Sequence, residues 1–226
     1  SSYKNDSEVS ILNRDKTIEN PSEELVSNIA NSIFYGGVSE GSFDITVQPI
    51  LDLYKESFDV NKGPPTDEEI KEELKKVDYN QIELGKNRIS IDKDQKITLG
   101  GIAKGYAVDK AIEVLKRKGI ENALVNAGGD MRALGRKYGS TDWNIALANP
   151  RDKEDYIALV KLSDKAIVTS GDYERYFDEN KSFHHIVNPL TGYSATELMS
   201  VTILADNAFD ADAISTSVFV LGKEKG

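Results

Sequence analysis

From Glu23 to Phe34 the apolar residues Leu25, Val26, Ile29, Ala30, Ile33 and Phe34 recur at helical spacing, and Ser22 stands where an N-cap belongs. A core-facing amphipathic helix is expected there. After the glycines Gly36, Gly37 and Gly41, the run Ser42–Val47 alternates apolar and polar residues as a strand or strand entry does. Gly63-Pro64-Pro65 then breaks the chain, and Thr66 with Glu69 forms a capping-box signature. This predicts a short charged helix through Val77, read as an exposed insertion. Between Ile82 and Thr98, short alternating runs are separated by Gly85-Lys86-Asn87 and Asp92-Lys93-Asp94-Gln95, the grammar of a small antiparallel meander.

Gly105 opens a second helix, with Ala107, Val108, Ala111, Ile112 and Leu115 on one face and a stop at Lys118-Gly119. Strand-like runs follow at Ala123–Asn126, Trp143–Ala148, Ile157–Leu162, Ala166–Thr169 and Val201–Leu204, and Asp210–Leu221 closes the chain as a helix. The mixture predicts an α+β fold, a mostly antiparallel sheet with packed helices, in one domain spanning residues 1–226.

Composition narrows the function. A chain of 226 residues with 39% hydrophobic content can bury a large core. A formal net charge of -10 argues against nucleic acid and anionic membrane as partners, since both need basic faces. An anionic ligand would therefore need a metal, a lysine or backbone amides. With no cysteine, neither disulfides nor thiolate metal sites are possible. No apolar run is long enough to span a membrane. Ser1–Ser10 is a polar lead-in without Met, and both ends read as trimmed.

Against that acidic background, Asp212 and Thr216 place a carboxylate and a hydroxyl four residues apart, on one helix face. Hard cations such as Mg²⁺ take one or two carboxylates plus neutral oxygens, so the pair is a candidate half-site for a metal that carries a phosphate. Leu99–Gly105 is a small-residue loop between a strand and a helix, where a backbone can approach an anion and Lys104 can pair with it. It is neither a Walker A loop nor a dinucleotide fingerprint. Asn126–Asp130 is a second such loop. The two histidines, His184 and His185, are adjacent, so in an extended run their rings point to opposite faces and at most one faces a site. Thr169-Ser170-Gly171-Asp172 lacks the flanks of a nucleophile elbow.

Taken together, Ser42–Thr46, Thr98–Asp109, Ala123–Asp130, Thr169–Tyr176, His184–Gly192 and Asp212–Phe219 resemble the ApbE-type flavin transferases, the FAD:protein FMN transferases. The resemblance implies a fold similar to the tunnelling fold, with FAD in a cleft and Mg²⁺ at its pyrophosphate. It implies transfer of the FMN half of FAD to a Thr or Ser of an acceptor protein, with release of AMP. On this mapping Asp212, Ser215, Thr216 and the Gly101 carbonyl are metal ligands. Phe43, Asp44, Thr98, Lys104 and Ile186 line the FAD site, and His185 activates the acceptor hydroxyl. Asn188 and Leu190 stand where many relatives carry Asp and Arg, and the family's N-terminal strand segment and C-terminal tail are not expected within these residues.

Two other readings share the same residues. Water in place of the protein hydroxyl would make a Mg²⁺-dependent FAD pyrophosphatase giving FMN and AMP. A flavin-binding lipoprotein domain without turnover would not need Asp212 and Thr216 at a pyrophosphate. Resemblance further implies that the acceptor is a redox-pump subunit or an electron-transfer lipoprotein, and that the protein is extracytoplasmic and membrane-anchored as a lipoprotein.

Overall fold

In the computed structural model, residues 6–226 are described; Ser1–Asn5 of the polar lead-in lie outside them. The chain runs α1 (Glu8–Asp15), β1 (Thr17–Glu19), α2 (Glu23–Val38), α3 (Gln48–Glu56), α4 (Asp67–Leu74), β2 (Glu83–Leu84) and β3 (Arg88–Ser90). It continues through α5 (Ala103–Arg117), β4 (Ala123–Ala127), β5 (Asp130–Leu134), β6 (Trp143–Asn149), β7 (Asp152–Leu162), β8 (Ala166–Gly171), β9 (Ser200–Ala205) and α6 (Ala208–Lys225). Every strand pairing is antiparallel among the described residues.

The central sheet has the order β4-β5-β8-β9. Its strands alternate faces with period two. Val125, Ala127, Ala166, Val168 and Ile203 face α5 and α6, meeting Val108, Ala208 and Ala211. Leu124, Met131, Ala133 and Ile167 face the other way, onto Ile145, Leu147, Val160 and Leu162 of the β6–β7 hairpin. Helices thus cover one face and a hairpin the other. A further cluster joins α1, α2 and the small sheet β1-β3-β2 around Leu12, Ile29, Ile89, Ile97 and Ile102.

α6 is the central element. Asn207 caps it by accepting from the Asp210 amide at 2.8 Å, and Asp109 of α5 accepts from the Ala208 and Phe209 amides at 3.0 and 2.9 Å. Asp109 also pairs with Arg132 of β5 at 2.6 Å, so the start of α6 is locked to both α5 and the sheet. Gly105 is where α5 and α6 touch: a Cβ there would lie 2.2 Å from the Ala208 carbonyl oxygen.

Several expectations need correction. Ser42–Val47 is no strand: the Asp44 carboxylate accepts from the Thr46 amide at 2.7 Å and folds Ile45–Val47 into a 3-10 turn that leads into α3. The helix capped by Thr66 exists with its capping box, but it ends at Leu74 and is not a free insertion, because Ile70 is buried against Ile50 and Tyr54 of α3. The expected meander is reduced to the β2–β3 hairpin, completed by β1 from the N-terminal side. The lead-in turns helical at Glu8, and α3 and β5 have no counterpart in the sequence reading.

Candidate active site

On α6, positions 212, 215, 216 and 219 fall on one face. Asp212 and Ser215 are buried and Thr216 is half-buried. Ser170, at the end of β8, meets this face: its hydroxyl lies 2.8 Å from Ser215 Oγ and 3.2 Å from Thr216 Oγ1. Gly101 closes the other side, since a Cβ there would lie 3.1 Å from both Thr216 Oγ1 and Phe43 Cε2. Ser170, Ser215, Thr216 and Gly101 therefore lie together, with Asp212 one turn earlier on the same helix face. No group of three His, Cys, Asp or Glu suited to a metal occurs among the described residues.

Asp212 Oδ2 accepts from the Gly105 amide at 2.9 Å, in the first turn of α5. Burial, and next the charge of Asp130, push its carboxyl up to about 7. Lys104, also in that turn, reaches Asp130 at 2.8 Å with its own side chain half-exposed. Lys104 also acts electrostatically on both Asp212 and His185.

The two histidines separate as expected. His184 is buried: its Nε2 donates to the Ala195 carbonyl at 2.9 Å and its Nδ1 accepts from the Ile186 amide at 3.3 Å, a structural role. His185 is half-buried and donates from Nδ1 to the Arg175 carbonyl at 3.0 Å, which leaves Nε2 as the basic nitrogen. Burial holds its pKa down at about 4, against the opposing pull of the Arg175 carbonyl. The segment carrying the histidines is seated on α6 through Ile186, which packs against Phe219 and Val220.

The expected flavin contacts divide. Phe43 and Ile186 are core side chains. Asp44 is committed to the Thr46 amide and hydroxyl and to the Tyr79 amide at 3.0 Å, and burial raises its pKa. It borders a cleft of about 230 Å³, shared with Gly41, Tyr79, Asn80, Pro189 and Leu190. Thr98 accepts from the Gly100 amide at 3.3 Å, shaping the loop before α5. Only Lys104 presents a charge outward. Sequence reasoning gave no role to Ser170 or Asp130; both lie in the quoted motifs, but their partners come from distant segments.

Arg151 at the β6–β7 turn forms a two-pronged ion pair with Asp172, at 2.8 and 2.6 Å. Asp172 opens the segment that carries the Arg175 carbonyl to His185.

A family model described as the ApbE family matches residues 1–226. A protein of Haemophilus influenzae named FAD:protein FMN transferase is 34% identical over 240 residues, covering 100% of this chain and 69% of its own. One of the same name from Treponema pallidum is 34% identical over 221 residues, covering 89% of this chain and 60% of its own. The chain thus spans about two thirds of the length of these relatives. The crystal structure of the ApbE protein from Thermotoga maritima superposes with a TM-score of 0.92 at 38% identity, over 99% of this chain and 74% of that one. The flavin transferase ApbE from Vibrio cholerae gives 0.84 at 31% identity, over 100% and 74%.

Proposed function

The chain belongs to the ApbE family of flavin transferases, and from that premise we propose that it transfers the FMN half of FAD to a Thr or Ser hydroxyl of an acceptor protein, with Mg²⁺ at the pyrophosphate and AMP released. The observation that carries this reading is the meeting of Asp212, Ser215 and Thr216 with Ser170 and Gly101, beside Lys104 and the first turn of α5.

The donor set suits a hard cation. It offers only oxygen atoms, and the buried Asp212 carboxyl is one that a neighbouring positive charge would return to its ionised form. Asp212, Ser215, Thr216 and the Gly101 carbonyl would hold Mg²⁺, which when bound offsets pyrophosphate charge and polarises the phosphoryl oxygens. Lys104, paired with Asp130, supplies a cation beside the first turn of α5 that can meet the pyrophosphate.

In the proposed reaction the acceptor oxygen attacks the phosphorus bearing riboflavin, the bond from that phosphorus to the bridging oxygen breaks, and AMP leaves with that oxygen. The hydroxyl proton passes to His185 Nε2. The Arg175 carbonyl fixes the tautomer and orientation this requires. A pKa near 4 keeps the imidazole unprotonated at neutral pH.

By resemblance we further propose that the acceptor is a redox-pump subunit or an electron-transfer lipoprotein, and that the protein works outside the cytoplasm on a lipid anchor. No described helix is long and apolar enough to cross a membrane. The test is to follow FAD, FMN and AMP during incubation with Mg²⁺, with and without acceptor. Acceptor-dependent AMP release supports transfer; equal release of FMN and AMP without acceptor makes the protein a pyrophosphatase, and intact FAD makes it a binder.

A further inference from the structure

Asp130 opens β5 directly after the Asn126–Gly129 turn. The fold does not need its carboxylate there. The turn is closed by the Asn126 side chain, which accepts from the Gly129 amide at 2.9 Å, and the β4–β5 ladder pairs Asp130 with Ala127 through the backbone. Yet the side chain is wholly buried, and apart from the Lys104 ammonium its oxygens have no hydrogen-bond partner among the described residues. Its close contact is a charge contact, Lys104 Nζ at 2.8 Å, and the other charges that act on it and its neighbour Asp212 are negative or Lys104 itself. A buried carboxylate in such surroundings is disfavoured unless a fixed cation faces it.

We propose that Asp130 is a positioning residue: from the floor of the site it anchors the ammonium of Lys104, and so sets where that cation meets the phosphate that develops charge during transfer. This rests on the flavin-transfer reading above. A half-exposed lysine has many rotamers, and a buried anchor at its tip removes most of them before substrate arrives. The anchor also neutralises Lys104 in the ground state. Losing it should therefore leave binding of anionic FAD intact or tighter while the chemical step slows.

The test is steady-state kinetics of AMP release, with FAD affinity read separately by flavin fluorescence. Asp130→Asn is expected to lower kcat about tenfold with KM for FAD at or below wild type, and to add nothing in a Lys104→Met background. An equal loss in that background, or a raised KM with unchanged kcat, overturns the proposal. Should Asp130→Asn fold poorly by thermal melting, Lys104→Arg takes its place. That variant keeps the charge but moves the donor atoms, and is expected to bind FAD normally while losing most of kcat; retained kcat overturns the proposal. Wild-type protein that binds FAD but releases no AMP contradicts the transfer reading instead, and the fluorescence titrations still report on the ion pair.

Discussion

The Gly105 amide donates to Asp212 Oδ2 at 2.9 Å, tying the first turn of α5 to the acidic position on α6. That bond exists because Gly105 has no side chain: a Cβ would lie 2.2 Å from the Ala208 carbonyl oxygen and 2.9 Å from Asp212 Cβ. The obstacle is backbone rather than a movable side-chain tip, so the helices must separate to admit a methyl group. Gly105→Ala is expected to cost about 3 kcal/mol, the upper end of what overpacking costs, measured by urea unfolding. A variant as stable as wild type would mean the two helices do not pack this closely.

Asp212 should carry the response to metal. Mg²⁺ at a hundredfold excess over its Kd stabilises a folded protein by about 2.7 kcal/mol, so a clear rise in Tm is expected for the wild type. Asp212→Asn, which keeps the shape and removes the charge, should melt at the same temperature with or without Mg²⁺ and lose turnover. An undiminished Mg²⁺ shift in the variant would place the cation elsewhere.

His185 predicts an acid-sensitive stability. Its folded pKa of about 4 lies below the ordinary 6.5, so the unfolded chain takes up a proton that the folded chain refuses. Its contribution is complete above pH 6.5 and is lost as pH falls towards 4. His185→Gln should flatten that part of the curve of Tm against pH. The remaining slope there is assigned partly to His184, also held low by burial. Identical slopes for variant and wild type would show that His185 titrates as a solvent-exposed imidazole.

Arg151 holds the β6–β7 turn to Asp172, but its side chain is 44% exposed, so solvent screens much of the pair. Arg151→Ala is expected to cost about 1 kcal/mol or less while raising hydrogen exchange both at the β6–β7 turn and in residues 173–176, with a modest fall in turnover. Exchange confined to the turn would show that the clamp does not reach the segment behind His185.

What was legible in the sequence was local. Ser22 and Thr66 mark helix starts because a cap is written within three residues, and both accept the predicted amides. β4, β6, the second half of β7, β8 and β9 were legible as strand-like runs, whereas β5 was not. Ser42–Val47 misled because Phe43, Ile45 and Val47 mimic a strand, yet residues 42–47 are all buried and the Asp44 side chain captures the Thr46 amide. α3 went unread although Pro49, Ile50, Leu53 and Tyr54 recur at helical spacing, with Asp52 and Lys55 on the opposite face. For the site, the spacing of Asp212 and Thr216 gave one helix face, and an extended backbone separated the two adjacent histidines, one buried and one half-buried. Ser170 and Asp130 could not be read in that way, since their roles depend on β8 and α5 arriving beside them.

The most direct test is intact-mass spectrometry of an acceptor domain incubated with this protein, FAD and Mg²⁺, alongside an EDTA control. The expected result is an EDTA-sensitive gain of one FMN unit on the acceptor, with an equal amount of AMP. Free FMN and AMP beside an unlabelled acceptor, or FAD left intact, would contradict transfer to a protein hydroxyl.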